Sequence, residues 1–299
     1  MAQQQTHTQM QGKVCLITGA NSGIGKATGL GLARMGATVV MVCRDRARGE
    51  EAQLDIERQS RNDAVDLLLA DLSSQQSIRQ LAATFQQRYR QLHVLINNAG
   101  SAFSPRQESV DGLEMTFAVN YLAPFLLTNL LLDVLKRSAP ARIIQVSSSV
   151  ERRARFEMND LQFQHRYSFL RAYGQSKFAL LLFTFELARQ LQGTGVTVNA
   201  MDPGITATNL GRGGLAPVPR LFMHFVAARV GNKPEKPAQT ALYLASSPEV
   251  ESISGQYFAN SVLRKSSERS YDESLQRQLW EESARLVQLP ARIEARLIP

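Results

Sequence analysis

Tyr173 and Lys177, in Tyr-Gly-Gln-Ser-Lys, are a phenol and an ammonium spaced four residues apart. On a helix that spacing puts both on one face, one turn apart. A free phenol has a pKa of about 10, too high for ready proton exchange near neutrality. A cation held beside it favours the phenolate, and lowering the pKa by about three units takes about 4 kcal/mol. Such a pair could donate or accept a proton during a reaction. Tyr-x-x-x-Lys alone is common and mostly structural, so its weight depends on its company. The run Ile143 to Ser149 reads as a strand delivering three hydroxyls, Ser147, Ser148 and Ser149. A serine there can donate to an oxygen on which charge develops, although loop polarity alone also produces serine runs. Asn120 falls inside a helical segment, where asparagine is a poor helix former. Pro124 has no amide for the carbonyl four residues back, which is that of Asn120. That carbonyl could hold a water joining Lys177 to solvent; a kink made for packing gives the same spacing.

A second group suits phosphate. Thr18-Gly19-Ala20-Asn21-Ser22-Gly23-Ile24-Gly25 follows an apolar run and opens a helical one. The glycines allow a tight turn and close backbone approach, and the helix start aims free amides at an anion. Turns also want glycine, but the strand–turn–helix setting is that of a dinucleotide site. Asn98-Ala99-Gly100, closing a later apolar run, is small and turn-prone and suits close approach of a cofactor. At the end of the second apolar run, where an acid would accept from a ribose 2′-hydroxyl, stand Cys43 and Arg44. A guanidinium binds a 2′-phosphate and a carboxylate repels it, so NADP(H) is favoured over NAD(H). Asp45 and Arg46 mix the local charge, and Arg44 as a solvated surface residue is the alternative.

Apolar runs at 14–18, 38–43, 64–69, 93–97, 142–147 and 196–201 alternate with helical segments at 23–35, 46–59, 75–89, 112–136 and 172–191. The runs show little alternation, as expected of strands covered on both faces. The pattern predicts an α/β fold: one Rossmann-type, doubly wound domain with a parallel sheet of about seven strands flanked by helices. Residues 1–11 read as a disordered polar lead-in, 12–262 as the catalytic domain and 263–299 as a helical extension containing Trp280. Within the domain, 205–232 carries glycines and prolines around an apolar patch. An irregular insertion of that length suggests a substrate lid, against the plainer reading of a surface loop.

Composition narrows the classes. A hydrophobic share of 44% and a charged share of 20% are those of a soluble globular enzyme. No run reaches the roughly 18 consecutive apolar residues of a membrane span, so no integral membrane segment is expected. Cys15 and Cys43 fall at opposite ends of adjacent strands, out of disulfide reach; buried thiols fit a reducing, cytoplasmic setting. Scattered histidines exclude a paired metal motif. The net charge of +8 is spread among glutamates without interleaved aromatics, which argues against nucleic acid; part of it could collect a phosphate-rich cofactor.

TGANSGIG, CRD, HVLINNAG, the VSS run, the YxxSK helix and Pro203-Gly204 together resemble the short-chain dehydrogenase/reductase family, from about Gly12 to Leu289. DGLEMTFAVNYL, ELARQLQGTGV and RQLWEESARLVQLP are most similar to its retinol dehydrogenase branch. The resemblance implies Tyr173 as proton donor or acceptor, with Lys177 as its partner and grip on the nicotinamide ribose. Ser148 would orient the carbonyl and Asn120 complete a relay. Gly19, Gly23 and Gly25 would line the phosphates, Asp71 with Leu72 flank adenine, Asn98 lie near the adenosine ribose and Thr208 meet the carboxamide. Homo-oligomers are usual in the family, often through the 112–136 and 172–191 helices; the Trp280 tail could instead cap that surface or the site. Two departures touch the substrate: polar opening residues where animal enzymes of the branch often carry an apolar anchor, and Asp202 before Pro203 where many relatives have histidine. The resulting expectation is an oxidoreductase moving hydride between nicotinamide and a small apolar aldehyde, ketone or alcohol, retinal-like or broader. The alternatives are a non-enzymatic NADP(H) sensor or scaffold on the same fold, and an enzyme of carrier-bound acyl chains.

Overall fold

The computed structural model describes residues 9–204 and 235–290. The expected lid, 205–232, and Thr208 within it lie outside the described residues. Eight strands form one sheet: β1 (Val14–Thr18), β2 (Thr38–Cys43), β3 (Val65–Leu69), β4 (Val94–Asn97), β5 (Ala141–Val146), β6 (Val196–Asp202), β7 (Gln256–Ala259) and β8 (Val262–Arg264). Their order is β3-β2-β1-β4-β5-β6-β7-β8, parallel throughout except for β8. The eighth strand goes beyond the expected seven and straddles the boundary drawn at 262. Asn260 and Ser261 both adopt left-handed backbone, which closes a two-residue hairpin onto β7.

Helices cover both faces. Leu16, Val40, Val42, Leu95, Ile143 and Val198 face α3 (Gln75–Arg88), α4 (Met115–Arg137) and α5 (Phe169–Gln190). Cys15, Ile17, Val39, Met41, Ile96 and Ile144 face α1 (Gly23–Arg34), α2 (Arg46–Ser60) and α6 (Glu235–Ser246). Period-two alternation thus sends neighbouring residues of each strand into different layers, and both layers are apolar. β1 sits where the strand order reverses, and the crevice at its carboxyl end is the ligand position of such sheets.

Local chemistry sets the helix starts. Asp45 accepts from the Arg48 amide to open α2, and Ser74 accepts from the Ser77 amide to open α3. The helix expected from 112 begins at Met115 because Gly112, at φ 72°, still belongs to a turn, and Glu114 then caps the Thr116 and Phe117 amides. α5 begins at Phe169, earlier than expected, which places Tyr173 in its second turn. Within α4 the Ala123 amide bonds the Ala118 carbonyl, five residues back. This wide turn over Ala118–Leu122 carries Asn120, just ahead of Pro124. α4 is long and apolar enough to cross a membrane by length and composition, but most of it is buried inside the protein.

The last helix, α7 (Glu273–Leu286), lays Leu275, Leu279, Trp280 and Ala284 onto the α4–α5 layer. Trp280 meets Phe125 at 5.0 Å and Phe183 at 5.6 Å between ring centres. The Tyr121 hydroxyl, in the wide turn, is 2.6 Å from that of Ser283. The tail therefore occupies the outer face of α4 and α5. Replacing Trp280 by Ala should cost about 3–5 kcal/mol, read as a lower urea midpoint by circular dichroism. Trp280 is the chain's one tryptophan, so its wild-type emission should shift red as α7 undocks.

Candidate functional site

The glycine turn after β1 is braced from β4. The Asn98 side-chain amide donates to the carbonyls of Thr18 (2.8 Å) and Gly19 (3.3 Å). The Thr18 hydroxyl accepts from the amides of Asn98 and Ala99, each at 3.0 Å. Thr18 was not among the residues singled out in the sequence, although it stands beside them. Asn98, expected near a ribose, has its amide committed to this brace. Gly25 has no room for a side chain: a Cβ there would lie 2.4 Å from the Gly19 carbonyl oxygen. Gly19 and Gly23 both adopt positive φ. Ser22 precedes α1 without spending its hydroxyl on a cap, and no acid stands in that helix's first turn. Asn21 and Ser22 are partly exposed and Ile24 is buried, so the turn presents its polar edge outward.

Beyond β2, the mixed charge sorts itself. Asp45 is held by the Arg48 amide at 3.1 Å and Arg46 pairs with Glu50 at 3.3 Å. Arg44 is exposed, with no ion pair among the described residues. The Asp71 carboxylate accepts from the amide and hydroxyl of Ser73, and Leu72 packs against the core. Cys15 and Cys43 are free and buried. Cys43 lies against the Ala20 and Asn21 amides, and burial pushes its thiol up to about 11.

At the carboxyl ends of β4 and β5 the other residues converge. The Lys177 ammonium, 3% exposed, donates to the Val146 carbonyl at 2.8 Å and lies 5.8 Å from the Tyr173 ring centre. The Ser148 hydroxyl lies beside the Tyr173 phenol and acts to lower its pKa. Ser147 instead donates to the Lys177 carbonyl, and Ser149 is exposed. The Asn120 amide donates to the Ser101 carbonyl at 2.8 Å and to Ser176 at 3.0 Å, and its oxygen accepts from the Ser101 amide. Ser176 donates in turn to the Tyr173 carbonyl at 2.8 Å, a link that sequence reading missed although Ser176 lies inside YxxSK. Gly100 fits between, since a Cβ would lie 3.2 Å from the Lys177 nitrogen and 3.4 Å from the Asn120 oxygen.

The electrostatics differ from the simplest expectation. Burial pushes the Tyr173 phenol up to about 12; the Ser148 hydroxyl opposes this and the Asp202 carboxylate adds to it. Burial takes Lys177 down to about 8. The ammonium is committed to the Val146 carbonyl and lies off the ring rather than bonded to the hydroxyl. Desolvation therefore outweighs the pull expected of it.

A family model described as short chain dehydrogenase matches residues 13–214. The chain belongs to the short-chain dehydrogenases. Human retinol dehydrogenase 14 is 45% identical over 295 residues, covering 94% of this chain and 88% of that one. Human retinol dehydrogenase 13 is 44% identical over 291 residues, covering 94% and 86%. Among solved structures, the Pseudomonas aeruginosa RhlG/NADP active-site complex matches with a TM-score of 0.67 at 27% identity, covering 85% of this chain and 96% of that one. This short-chain dehydrogenase is accordingly an oxidoreductase acting on alcohols and carbonyls with a nicotinamide cofactor.

The residues present fit that cofactor: the glycine turn packs too tightly for a Cβ at Gly25, and the start of α1 beside it carries no side-chain cap and no acid, which leaves its amides for an anion. Gly25→Ala should force the turn away from the Gly19 carbonyl, keep the overall helix and strand content by circular dichroism and weaken NADPH binding by about tenfold or more, read by fluorescence titration.

Proposed function

We propose that this short-chain dehydrogenase is an NADP(H)-dependent reductase of apolar aldehydes and ketones, retinal-like or broader, with Tyr173 as general acid. The observation that carries the reading is the convergence of the Tyr173 phenol, the Ser148 hydroxyl and the buried Lys177 ammonium. Bound in the cleft, the nicotinamide supplies or takes up the hydride. Gly19, Asn21, Ser22, Gly23, Ile24 and Gly25 hold its phosphates, Asp71, Leu72 and Asn98 line its adenosine side, Ala99 and Gly100 allow its close approach, and Arg44 takes the 2′-phosphate. Thr208 is assigned to the carboxamide by resemblance alone.

Ser148 donates to the substrate oxygen and orients it toward Tyr173, which delivers the proton as charge develops. The raised phenol pKa keeps Tyr173 protonated through the neutral range, which suits reduction. Lys177 holds positive charge beside the phenol and grips the ribose. Asn120 fixes Ser101 and, through Ser176, the Tyr173 backbone. Nearby, the Asn97 oxygen and both amide atoms of Gln145 are buried without a protein partner, as atoms that hold ordered water are. Water there would extend the proton path away from Lys177. The free buried thiols support a cytoplasmic site of action.

The purified protein should consume NADPH with apolar aldehydes or ketones, retinal included. Tyr173→Phe should lower turnover by about 10²–10⁴ while NADPH still binds. Tight NADPH binding with no turnover of any carbonyl would overturn the reading. Arg44→Asp should weaken NADPH by about tenfold or more and spare NADH. Protonated Tyr173 persists to about pH 12 whereas Lys177 loses its charge above about 8. Reduction should therefore hold steady through neutrality and fall above about pH 8, in a profile of kcat/KM.

A further inference from the structure

We propose that the rim of the site, built from the turn Ser149–Arg153 and the first turn of α5, docks on an anionic lipid surface. Leu170 is 63% exposed and Val150 36% exposed, both large apolar side chains left in water. They stand on adjoining pieces of the molecule. Gly174 lies one turn beyond Leu170, and a Cβ there would be 3.6 Å from the Val150 carbonyl and 3.8 Å from Ala154. Tyr173 lies three residues beyond Leu170 on the same helix, so this patch adjoins the site.

The charge around them is net positive, with arginines outnumbering acids. Arg153, Arg155 and Arg166 are exposed and make no ion pair among the described residues. The neighbouring acids are already engaged. Glu157 pairs with Arg171 at 2.8 Å, Glu151 is buried and bonded by Ser267, and Asp160 accepts from the Gln164 amide. Arg152 bonds the Lys265 carbonyl, which brings the basic 264–269 loop to the same rim. The net charge of +8 adds a long-range attraction toward anionic surfaces.

Aliphatic side chains set among unpaired arginines are the composition of an interfacial anchor. Nucleic acid would call for aromatic shelves between the cations, and here the exposed large apolar side chains are a leucine and a valine. Docked this way, the enzyme would meet apolar carbonyl compounds where they partition. The lipid contact itself does not require the proposed reaction, and binding is read without substrate.

The test is co-sedimentation of the full chain with vesicles of phosphatidylcholine alone or mixed with phosphatidylglycerol. Binding is expected to the mixed vesicles only and to weaken with salt. Arg153→Glu with Arg166→Glu should lose about tenfold or more of that binding, at about one arginine's worth per site. Leu170→Ser should weaken it at unchanged charge. Both variants should reduce a short water-soluble aldehyde as the wild type does, which verifies their fold. If no carbonyl is turned over at all, NADPH titration serves as the fold control and the vesicle result still stands. Failure to bind mixed vesicles, equal binding to neutral ones, or full binding by the double variant would overturn the proposal. So would capture by polyglutamate without capture by vesicles, which would put an acidic protein in place of lipid.

Discussion

The burial of one ammonium constrains this molecule more than any other single interaction. Lys177 comes up from α5 into a nearly dry site and needs an acceptor there. The Val146 carbonyl, last in β5, meets that need. A parallel strand ends with its carboxyl edge at the crevice, so the acceptor is available only because β5 stops where it does. Gly100 leaves the space for the nitrogen, and the wide turn in α4 puts Asn120 against the same glycine. Shifting any of the three would leave a buried charge without its partner.

The cofactor side is organised by a comparable economy of space. Gly25 approaches the Gly19 carbonyl more closely than any residue with a Cβ could. Asn98 and Thr18 then tie the turn to β4. The two halves of the site are thus joined through four consecutive residues, Asn97 to Gly100, with the brace at one end and the lysine pocket at the other. Asn98 serves this brace before any contact with ligand, so replacing it would disturb both halves.

α7 adds a support from outside the sheet and its crossover helices. Its Trp280 packs on Phe125 and Phe183, and Ser283 reaches Tyr121, the residue after Asn120. The terminal helix therefore supports the wide turn from behind while it covers the helical face. Helix pairing between subunits on that face would first have to displace it.

The sequence by itself determined the alternation of strands and helices, the glycine turn, the family and the identity of the polar residues that gather at the site. These follow from local periodicity, backbone sterics and spacing. It placed six strands and most helices to within a few residues, because uninterrupted Val, Ile and Leu runs between amphipathic segments allow few other folds. Residue types and spacing alone left Ser147, Ser148 and Ser149 open, and only the family resemblance singled out Ser148. That choice depends on which hydroxyl faces α5 and which faces Tyr173, a matter of strand pleat and packing. Nor could the sequence find β8, whose three residues gain a strand's hydrogen bonds only from β7. The seating of Trp280 and the commitment of Lys177 to the Val146 carbonyl were likewise left to tertiary structure. Each brings together groups far apart in the chain, and burial, which sets the charge state of both Tyr173 and Lys177, exists only once those groups have met.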